Sequence, residues 1–179
     1  MTDLELRPAT ADDIETIEGV MRDSISGISS RSYDPRQVAS ALDFVAHLDR
    51  ELVDDGTYFV VESDGKIVAC GGWSRRARLY AGSGSAANDA RMLDPATEAA
   101  RIRAMFVVTG FERRGLGRMI LERCERDAHA AGFRRIELMA MLSGEKMYLA
   151  CGYRPVENVP AKLEDGTPFP LTRMEKIVE

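Results

Sequence analysis

The sequence predicts an α+β fold in which helices flank a mixed central β-sheet. A β-hairpin signature lies at 58–73, and an amphipathic helix followed by a nearly continuous apolar strand lies at 116–142. The length of 179 residues is typical of one domain. Because no internal repeat or linker divides the chain, we expect a single domain over residues 1–179.

The N-terminal third predicts a strand and then two helices. Residues 4–7 indicate a short strand, and Thr10 is a candidate N-cap because acids follow it in the first turn. Apolar residues over 14–21 keep helical spacing, and a Ser/Gly-rich loop follows at 24–35. A second helix is predicted over 38–52.

The middle of the chain predicts a hairpin and a long irregular segment. Two apolar, β-branched runs at 58–62 and 66–73 flank the turn sequence Ser63-Asp64-Gly65. Residues 74–98 show no regular pattern. A loop of this length in a compact domain is usually functional or disordered.

The C-terminal half alternates strands and helices. A strand is expected over 100–108, with Arg101 and Arg103 on one face. An amphipathic helix then leads from the glycines at 115–117 to Ala131. The remaining predicted elements are a buried strand over 135–142, a short helix over 144–150, and strands over 156–160 and 171–177.

Composition excludes several classes of protein. The three cysteines, Cys70, Cys124 and Cys151, form no CxxC pair, which argues against a disulfide framework and favours a reducing cytoplasm. The two histidines have no second candidate ligand nearby, so we expect no metal site. The chain has no apolar stretch long enough to cross a bilayer and no signal-peptide pattern. A net charge of −5 disfavours nucleic acid as a partner.

The charges are unevenly distributed along the chain. Residues 1–56 contain thirteen acids and five bases, whereas residues 57–179 contain sixteen acids and nineteen bases. The first interpretation is that the N-terminal helices have solvated acidic faces. The alternative is that a cationic ligand meets the N-terminal third and an anionic ligand meets the rest.

A turn rich in arginine and glycine precedes the helix at 116, and it predicts an anion site. The first N–H groups of a helix lack intrahelical partners and lie at its positive end. Gly115 and Gly117 let a phosphate approach this backbone, and Arg113, Arg114 and Arg118 add positive charge. The turn matches neither a Walker A loop nor GxGxxG, since position 120 is Ile. The alternative is a simple surface turn.

A strand is followed by the RRGLGR turn, a helix, a second strand and a further helix that leads into the sequence YLACGY at 148–153. This order resembles the GNAT superfamily of acetyl-CoA-dependent N-acetyltransferases. The resemblance extends over essentially the whole chain, and the cofactor-binding core would lie at about 99–153. The family motif [Q/R]xxGx[G/A] places its glycines on Gly115 and Gly117, with Glu112 at its first position. The backbone is therefore expected to form the cradle without a Gln or Arg side chain. Thr109 replaces a common proline, and Met141 replaces a common asparagine.

The resemblance implies acetyl-CoA as co-substrate and no metal. Main-chain groups of Met105, Phe106 and Val107 would pair with the pantetheine arm like an added strand. The phosphates would lie in a cradle formed by Arg113, Arg114, Gly115, Leu116, Gly117 and Arg118.

Two residues are candidates for the catalytic proton transfers. Tyr148 stands where the family often has a tyrosine beside the CoA sulfur, although it could instead only pack on the sheet. An amine with a pKa near 10.4 must lose a proton before it attacks, so a general base is needed. Glu98 and Asp94 are the candidate bases, and an ordered water chain is the alternative. Cys124 and Cys151 lie on apolar helix faces and are expected to be core residues.

The resemblance therefore implies an N-acetyltransferase in which a primary amine attacks acetyl-CoA directly. The acidic N-terminal segment favours a small cationic amine as the acceptor. The alternatives are a non-catalytic acyl-CoA-binding sensor, the acetylation of a protein N-terminus or lysine, and a phosphate-ligand protein unrelated to CoA. A homodimer is the expected form if the chain assembles at all.

Overall fold

A computed structural model of the protein describes residues 3–79 and 91–179, and it confirms an α+β fold with a mixed sheet. The strands of this part of the chain are β1 (Leu4–Pro8), β2 (Tyr58–Ser63), β3 (Lys66–Ser74), β4 (Ala100–Val107), β5 (Arg135–Met141), β6 (Arg154–Val159) and β7 (Leu171–Ile177). They form one sheet in the order β1-β2-β3-β4-β5-β7-β6. Only the β4–β5 pair is parallel, and the other described pairs are antiparallel.

Helices cover both faces of this sheet. Those within the described ranges are α1 (Ile14–Gly27), α2 (Pro35–Phe44), α3 (Arg50–Asp54), α4 (Leu116–Ala130) and α5 (Glu145–Ala150). The apolar side of α4 packs with Phe59, Trp73 and Ile136 in one core cluster. The apolar residues of α1 and α2 pack on the opposite face, with Tyr58 and Phe106. None of the helices in these ranges is long and apolar enough to span a membrane.

The predicted helix over 38–52 is wrong, because two helices, α2 and α3, replace it. Asp49 has an extended backbone with φ −68° and ψ 106°, and its carboxylate accepts a hydrogen bond from Glu51 N at 3.2 Å. Asp49 is thus the N-cap of α3, and an N-cap residue cannot continue a preceding helix. The apolar spacing persists across the break, which is why periodicity alone predicts one helix.

The segment at 74–98 has short-range order where the structure describes it. Arg76 and Met92 form an isolated antiparallel bridge that brings the two ends of the segment together. Residues 80–90 lie outside the described residues, so the prediction of an irregular segment is assessed only at its two ends.

Candidate active site

A cleft opens in the middle of the sheet where β4 and β5 separate. These strands pair only at Ala100–Ile136 and Arg101–Glu137, and then they diverge. The opening leads into a cavity of about 890 Å³ that is lined by residues of β4, β5, α4 and α5. In parallel sheets a ligand commonly binds at such a carboxyl-end crevice. The cleft is therefore the candidate site.

A bulge in β4 shapes one wall of this cleft. Cys70 of β3 pairs with Phe106 and Gly72 pairs with Arg103, so that Ala104 and Met105 together face Gly71. Ala104 has φ +51°, which is uncommon for a residue with a side chain. The hydroxyl of Tyr58, a fully buried residue, donates a hydrogen bond to Ala104 O at 2.6 Å. Bulges of this kind change the direction of a strand next to functional sites.

The three β4 residues predicted to pair with pantetheine lie at this bulge. Met105, Phe106 and Val107 all line the cleft. On the β3 side the strand is paired, but on the β5 side its backbone has no ladder partner among the described residues beyond Arg101. That edge of β4 is able to accept an added extended segment, as the resemblance implies.

The N-terminus of α4 forms a second wall. Gly115 is its N-cap and has φ +82°, a conformation that favours glycine. No acceptor within 3–79 or 91–179 takes a hydrogen bond from the N–H groups at 113–118. Of the six predicted cradle residues, five line the cleft: Arg113, Gly115, Leu116, Gly117 and Arg118. The sixth, Arg114, lies over the Phe111 ring at 4.5 Å and is not among the lining residues. These features fit an anionic ligand.

The structure explains the glycine at position 117 differently from the sequence analysis, which assigned it to phosphate access. A Cβ at this position would lie 2.3 Å from the Met147 sulfur. The space beside the Gly117 Cα is therefore filled by α5 and does not itself provide room for a phosphate. The glycine allows α4 and α5 to approach each other closely on the cleft wall.

Glu112 stabilises the turn, although the sequence assigned that task to the backbone alone. Its carboxylate accepts a hydrogen bond from Gly110 N and forms an ion pair with Arg31 at 3.0 Å. Hydrogen bonding from its own backbone N–H, and further from Gly110 and Arg31, lowers the pKa of Glu112. A carboxylate that remains charged can thus replace the side chain usual at this motif position.

Tyr148 lies on α5 and lines the cleft. The residue is 7% exposed, and its ring meets that of Tyr153 edge-on, with centroids 5.9 Å apart. Burial raises the pKa of Tyr148 well above its usual range. The phenol is therefore a proton donor throughout the neutral range.

The predicted bases lie away from these residues. The Glu98 carboxylate accepts two hydrogen bonds from Arg91, at 2.7 and 2.9 Å, and a third from Asp94 N at 2.8 Å. The Arg91 bonds, above all, lower the pKa of Glu98 to about 2. The Asp94 carboxylate accepts hydrogen bonds from Ala96 N at 2.9 Å and from the Thr97 hydroxyl at 3.2 Å. Neither acid is among the residues that line the cleft, so the structure does not bring them together with Tyr148.

The cysteines show the features of packed thiols. Cys124 is fully buried in the core under α4, and Cys151 is half-buried at the cleft. Burial raises the pKa of both thiols, which disfavours the nucleophilic thiolate. In the part of the chain that the structure describes, no three acid, cysteine or histidine side chains group as metal ligands would.

An ion pair on the other side of the β4 bulge was missed by the sequence interpretation. Arg103 is 7% exposed, and its guanidinium lies 3.7 Å from the Asp49 carboxylate. Both residues line the cleft. A usable signal was present, since Arg103 lies within an apolar strand, where a charged residue needs a partner or a ligand.

Comparisons with known proteins agree with this geometry. A GCN5-related N-acetyltransferase from Rhodopseudomonas palustris has a TM-score of 0.73 at 18% identity, with 99% of this chain and 97% of that chain covered. The PaiA N-acetyltransferase from Thermoplasma acidophilum, in complex with coenzyme A, has a TM-score of 0.65 at 13% identity, with 98% and 99% covered. An N-acetyltransferase from Staphylococcus aureus Mu50 has a TM-score of 0.65 at 14% identity, with 99% of both chains covered. At these identities the likeness concerns the fold. A search of curated proteins finds no match.

The family comparison goes further than the fold. The sequence model of the acetyltransferase (GNAT) family matches residues 23–153. The match takes in the divergent strands, the α4 N-terminus and Tyr148, and it extends over more than half of the chain. The chain therefore belongs to the acetyltransferase (GNAT) family.

Proposed function

We propose that the protein transfers the acetyl group of acetyl-CoA to the primary amine of a small molecule by direct attack. Membership of the family makes the protein an acetyltransferase. The observation that supports the proposal most is the cleft itself. It joins an unpaired edge of β4, the free N–H groups before α4, and a buried phenol.

The residues that would hold acetyl-CoA follow from this geometry. The N–H groups at 113–118 would bind the pyrophosphate, with Arg113 and Arg118 supplying positive charge around it. The open edge of β4 at Met105, Phe106 and Val107 would bind the pantetheine arm. We propose that the cofactor core spans about 99–153 and that residues 1–179 act as one unit.

Acetyl-CoA supplies a thioester with a good leaving group. Tyr148 would donate its proton to the sulfur as the carbon–sulfur bond breaks. Because burial raises the pKa of Tyr148, the phenol retains this proton at neutral pH. The acceptor's own proton would leave through ordered water, since Glu98 is held by Arg91 outside the cleft lining. Catalysis by Glu98 stays a prediction that these contacts do not favour.

The acceptor is proposed to be a small cationic amine, as the acidic N-terminal segment predicts. Among the thirteen acids of residues 1–56, Asp49 is the one that lines the cleft within the described part of the chain. His47 lies beside it on the same wall. The cytoplasmic location is proposed on the basis of the three free cysteines, and a homodimer remains a prediction.

The test combines cofactor binding with turnover. Calorimetric titration with acetyl-CoA should give saturable 1:1 binding, and thiol release should require an amine. Binding without turnover by any amine, peptide or protein lysine would support the sensor alternative. If only peptides or proteins are acetylated, a macromolecular acceptor replaces the small molecule. If acetyl-CoA does not bind, the placement of the cofactor is wrong.

A further inference from the structure

A carboxylate lies at the rim of the proposed phosphate cradle. Glu112 lines the cleft and directly precedes Arg113, the first residue of the cradle at 113–118. It stays negatively charged because hydrogen bonds from its own backbone N–H and from Gly110 lower its pKa. A pyrophosphate is also an anion, so a bare carboxylate here would repel the ligand that the N–H groups attract. If this turn binds a pyrophosphate, we expect a cation beside Glu112.

Arg31 supplies that cation from the N-terminal third of the chain. Its Nη2 lies 3.0 Å from Glu112 Oε1, and both side chains line the cleft. Residues 1–56 contain five bases, all of them within the described ranges, and Arg31 is the one among them that lines the cleft. The most acidic part of the chain thus brings one positive charge to the anion-binding turn.

The ion pair engages only part of the Arg31 guanidinium. A guanidinium has five N–H donors in a planar fork. Within residues 3–79 and 91–179, the Arg31 side chain has no acceptor besides Glu112. The side chain is 62% exposed, so its remaining donors are accessible to a ligand that enters the cleft. Such a fork suits a phosphate because two parallel N–H groups can bind two oxygens.

The end of α1 fixes the Arg31 segment to the turn that follows β4. The Asp23 carboxylate accepts a hydrogen bond from Thr109 N at 2.6 Å, and the Asp23 carbonyl accepts one from the Thr109 hydroxyl at 3.3 Å. A Cβ at Gly27 would collide with the Thr109 side chain, so this glycine allows α1 to approach the turn closely. Residues 28–31 continue directly from α1. Arg31 is therefore held beside the turn by the fold as well as by its ion pair.

The other end of the same segment is attached to the end of β5. The Ser29 and Ser143 hydroxyls form a hydrogen bond at 3.2 Å, and the Tyr33 hydroxyl accepts one from Leu142 N at 3.0 Å. Arg31 lies between Ser29 and Tyr33 in the sequence. Its backbone is thus fixed on both sides, which limits the conformational entropy that it loses when it binds a ligand.

We propose that Arg31 is a cofactor-binding residue, which binds the pyrophosphate of acetyl-CoA and neutralises Glu112 at the rim of the cradle. This inference rests on the proposed function and adds a residue to its cofactor site. The alternative is that the ion pair only holds the turn in shape. The two interpretations differ in the effect of Glu112. As a rim charge, Glu112 weakens binding when Arg31 is absent, whereas in a purely structural pair the loss of either partner has the same effect as the loss of both.

Three acetyl donors separate a phosphate contact from a structural role. S-acetylpantetheine has the same thioester as acetyl-CoA but no phosphate. Arg31→Gln should lower kcat/KM for acetyl-CoA by about 10-fold, as for one hydrogen bond to a charged group, and leave S-acetylpantetheine within twofold. Acetyl-dephospho-CoA keeps the pyrophosphate, so its loss should match that of acetyl-CoA. An equal loss for all three donors, or a loss confined to acetyl-CoA, would overturn the assignment of Arg31 to the pyrophosphate.

A double-mutant cycle tests the sign of the Glu112 charge. Glu112→Gln removes the charge and keeps an oxygen that can accept the hydrogen bond from Gly110 N. The acetyl-CoA Kd, measured by calorimetry, should rise about 10-fold in Arg31→Gln and should not rise in Glu112→Gln. The double variant should bind about threefold more tightly than Arg31→Gln, the range of an exposed charge pair. Equal weakening in both single variants and in the double variant would overturn the inference.

Arg154→Gln is the matched control for the loss of one exposed arginine. Arg154 pairs with Glu175 at 2.5 Å, is 73% exposed and does not line the cleft. Its acetyl-CoA Kd should equal that of the wild type, and the unfolding midpoints of both arginine variants should stay close to the wild-type value, because exposed ion pairs contribute little to stability. An equal rise in Kd in Arg154→Gln would reduce the Arg31 effect to net charge and overturn the inference.

The same measurements distinguish the failure of this inference from that of the proposed function. If the wild-type protein binds acetyl-CoA and acetylates amines while Arg31→Gln binds acetyl-CoA equally well, the inference is overturned and the proposed function stands. If acetyl-CoA binding depends on Arg31 as expected but no amine is acetylated, the inference stands and the proposed transfer fails. If the wild-type protein does not bind acetyl-CoA, both are wrong.

Discussion

Replacement of Tyr148 by phenylalanine removes the proposed proton donor and preserves its ring. The ring contacts that hold Tyr148 are the edge-on packing with Tyr153 and the close approach to Gly144, and Phe retains both. No described residue accepts or donates a hydrogen bond at the Tyr148 hydroxyl, so its removal leaves no protein group unpaired. We therefore expect the free energy of unfolding to change by less than about 1 kcal/mol.

The expected effect on catalysis is much larger than the effect on stability. General acid catalysis contributes about 10²- to 10⁴-fold in rate, which corresponds to roughly 3–5 kcal/mol of barrier. The measurement is kcat for thiol release with a responsive amine, together with the acetyl-CoA Kd by calorimetry. Tyr148→Phe should lower kcat by at least about 100-fold and leave Kd within threefold.

The pH dependence of kcat gives a second test of the proposed proton donor. Burial raises the pKa of Tyr148, so the donor form persists as pH rises through the usual tyrosine value of about 10. The wild-type kcat should therefore not fall between pH 9 and pH 10. A fall in that range that is absent from Tyr148→Phe would mean that the phenol loses its proton there.

The matched control for the whole series is Tyr153→Phe. This neighbouring hydroxyl is buried, has no hydrogen-bond partner among the described residues and does not line the cleft, so kcat should not change. A fall in kcat of less than threefold in Tyr148→Phe, with chemistry shown to be rate-limiting, would refute the general acid.

Substitutions at three further positions and one pH measurement test other parts of the structure. Gly117→Asp should abolish acetyl-CoA binding in calorimetry because its charge repels the pyrophosphate, whereas Gly117→Ala places the same Cβ against the movable end of the Met147 side chain and should retain most of the binding; equal losses would point to packing alone. Tyr58→Phe leaves Ala104 O without its donor and should cost about 1–3 kcal/mol in chemical unfolding; an unchanged midpoint would mean that the bulge needs no such bond. Glu98→Gln should leave kcat within threefold, and a loss of about 100-fold or more would restore Glu98 as the base. Stability should fall as pH drops from about 4 to about 2, because Arg7 lowers the pKa of Asp13 to about 2 in the folded state, and Asp13→Asn should reduce this loss.

The elements near the cofactor core could be predicted because their signals are local. The hairpin of β2 and β3 has its turn residues between two apolar runs, and α4 has a glycine entry and a continuous apolar stripe. Each signal lies within about fifteen residues, the scale on which periodicity is informative. The family resemblance then pointed to residues 105–107 and 113–118, and all of them except Arg114 line the cleft.

The features that escaped prediction depend on contacts between distant residues. The β4 bulge is held by Tyr58, which lies 46 residues away in the sequence. The close packing at Gly117 is set by Met147 on another helix. The Asp49 cap was hidden because the apolar spacing of the preceding helix continues through it. A single sequence does not show which distant segments contact each other or in what register. These contacts therefore become visible only in the assembled structure.

The incomplete pairing of β4 with β5 also bears on the stability of the protein. Backbone groups along the open edge of β4 have no ladder partner among the described residues, so a ligand bound there would stabilise the folded state. A ligand at 100 times its Kd stabilises the folded state by about 2.7 kcal/mol, which raises the Tm of a domain of this size by roughly 5–11 °C. If acetyl-CoA binds in the cleft as proposed, a low supply of it should leave a larger fraction of the chains unfolded and accessible to proteases. The stability of the enzyme would then depend on the supply of its own acetyl donor.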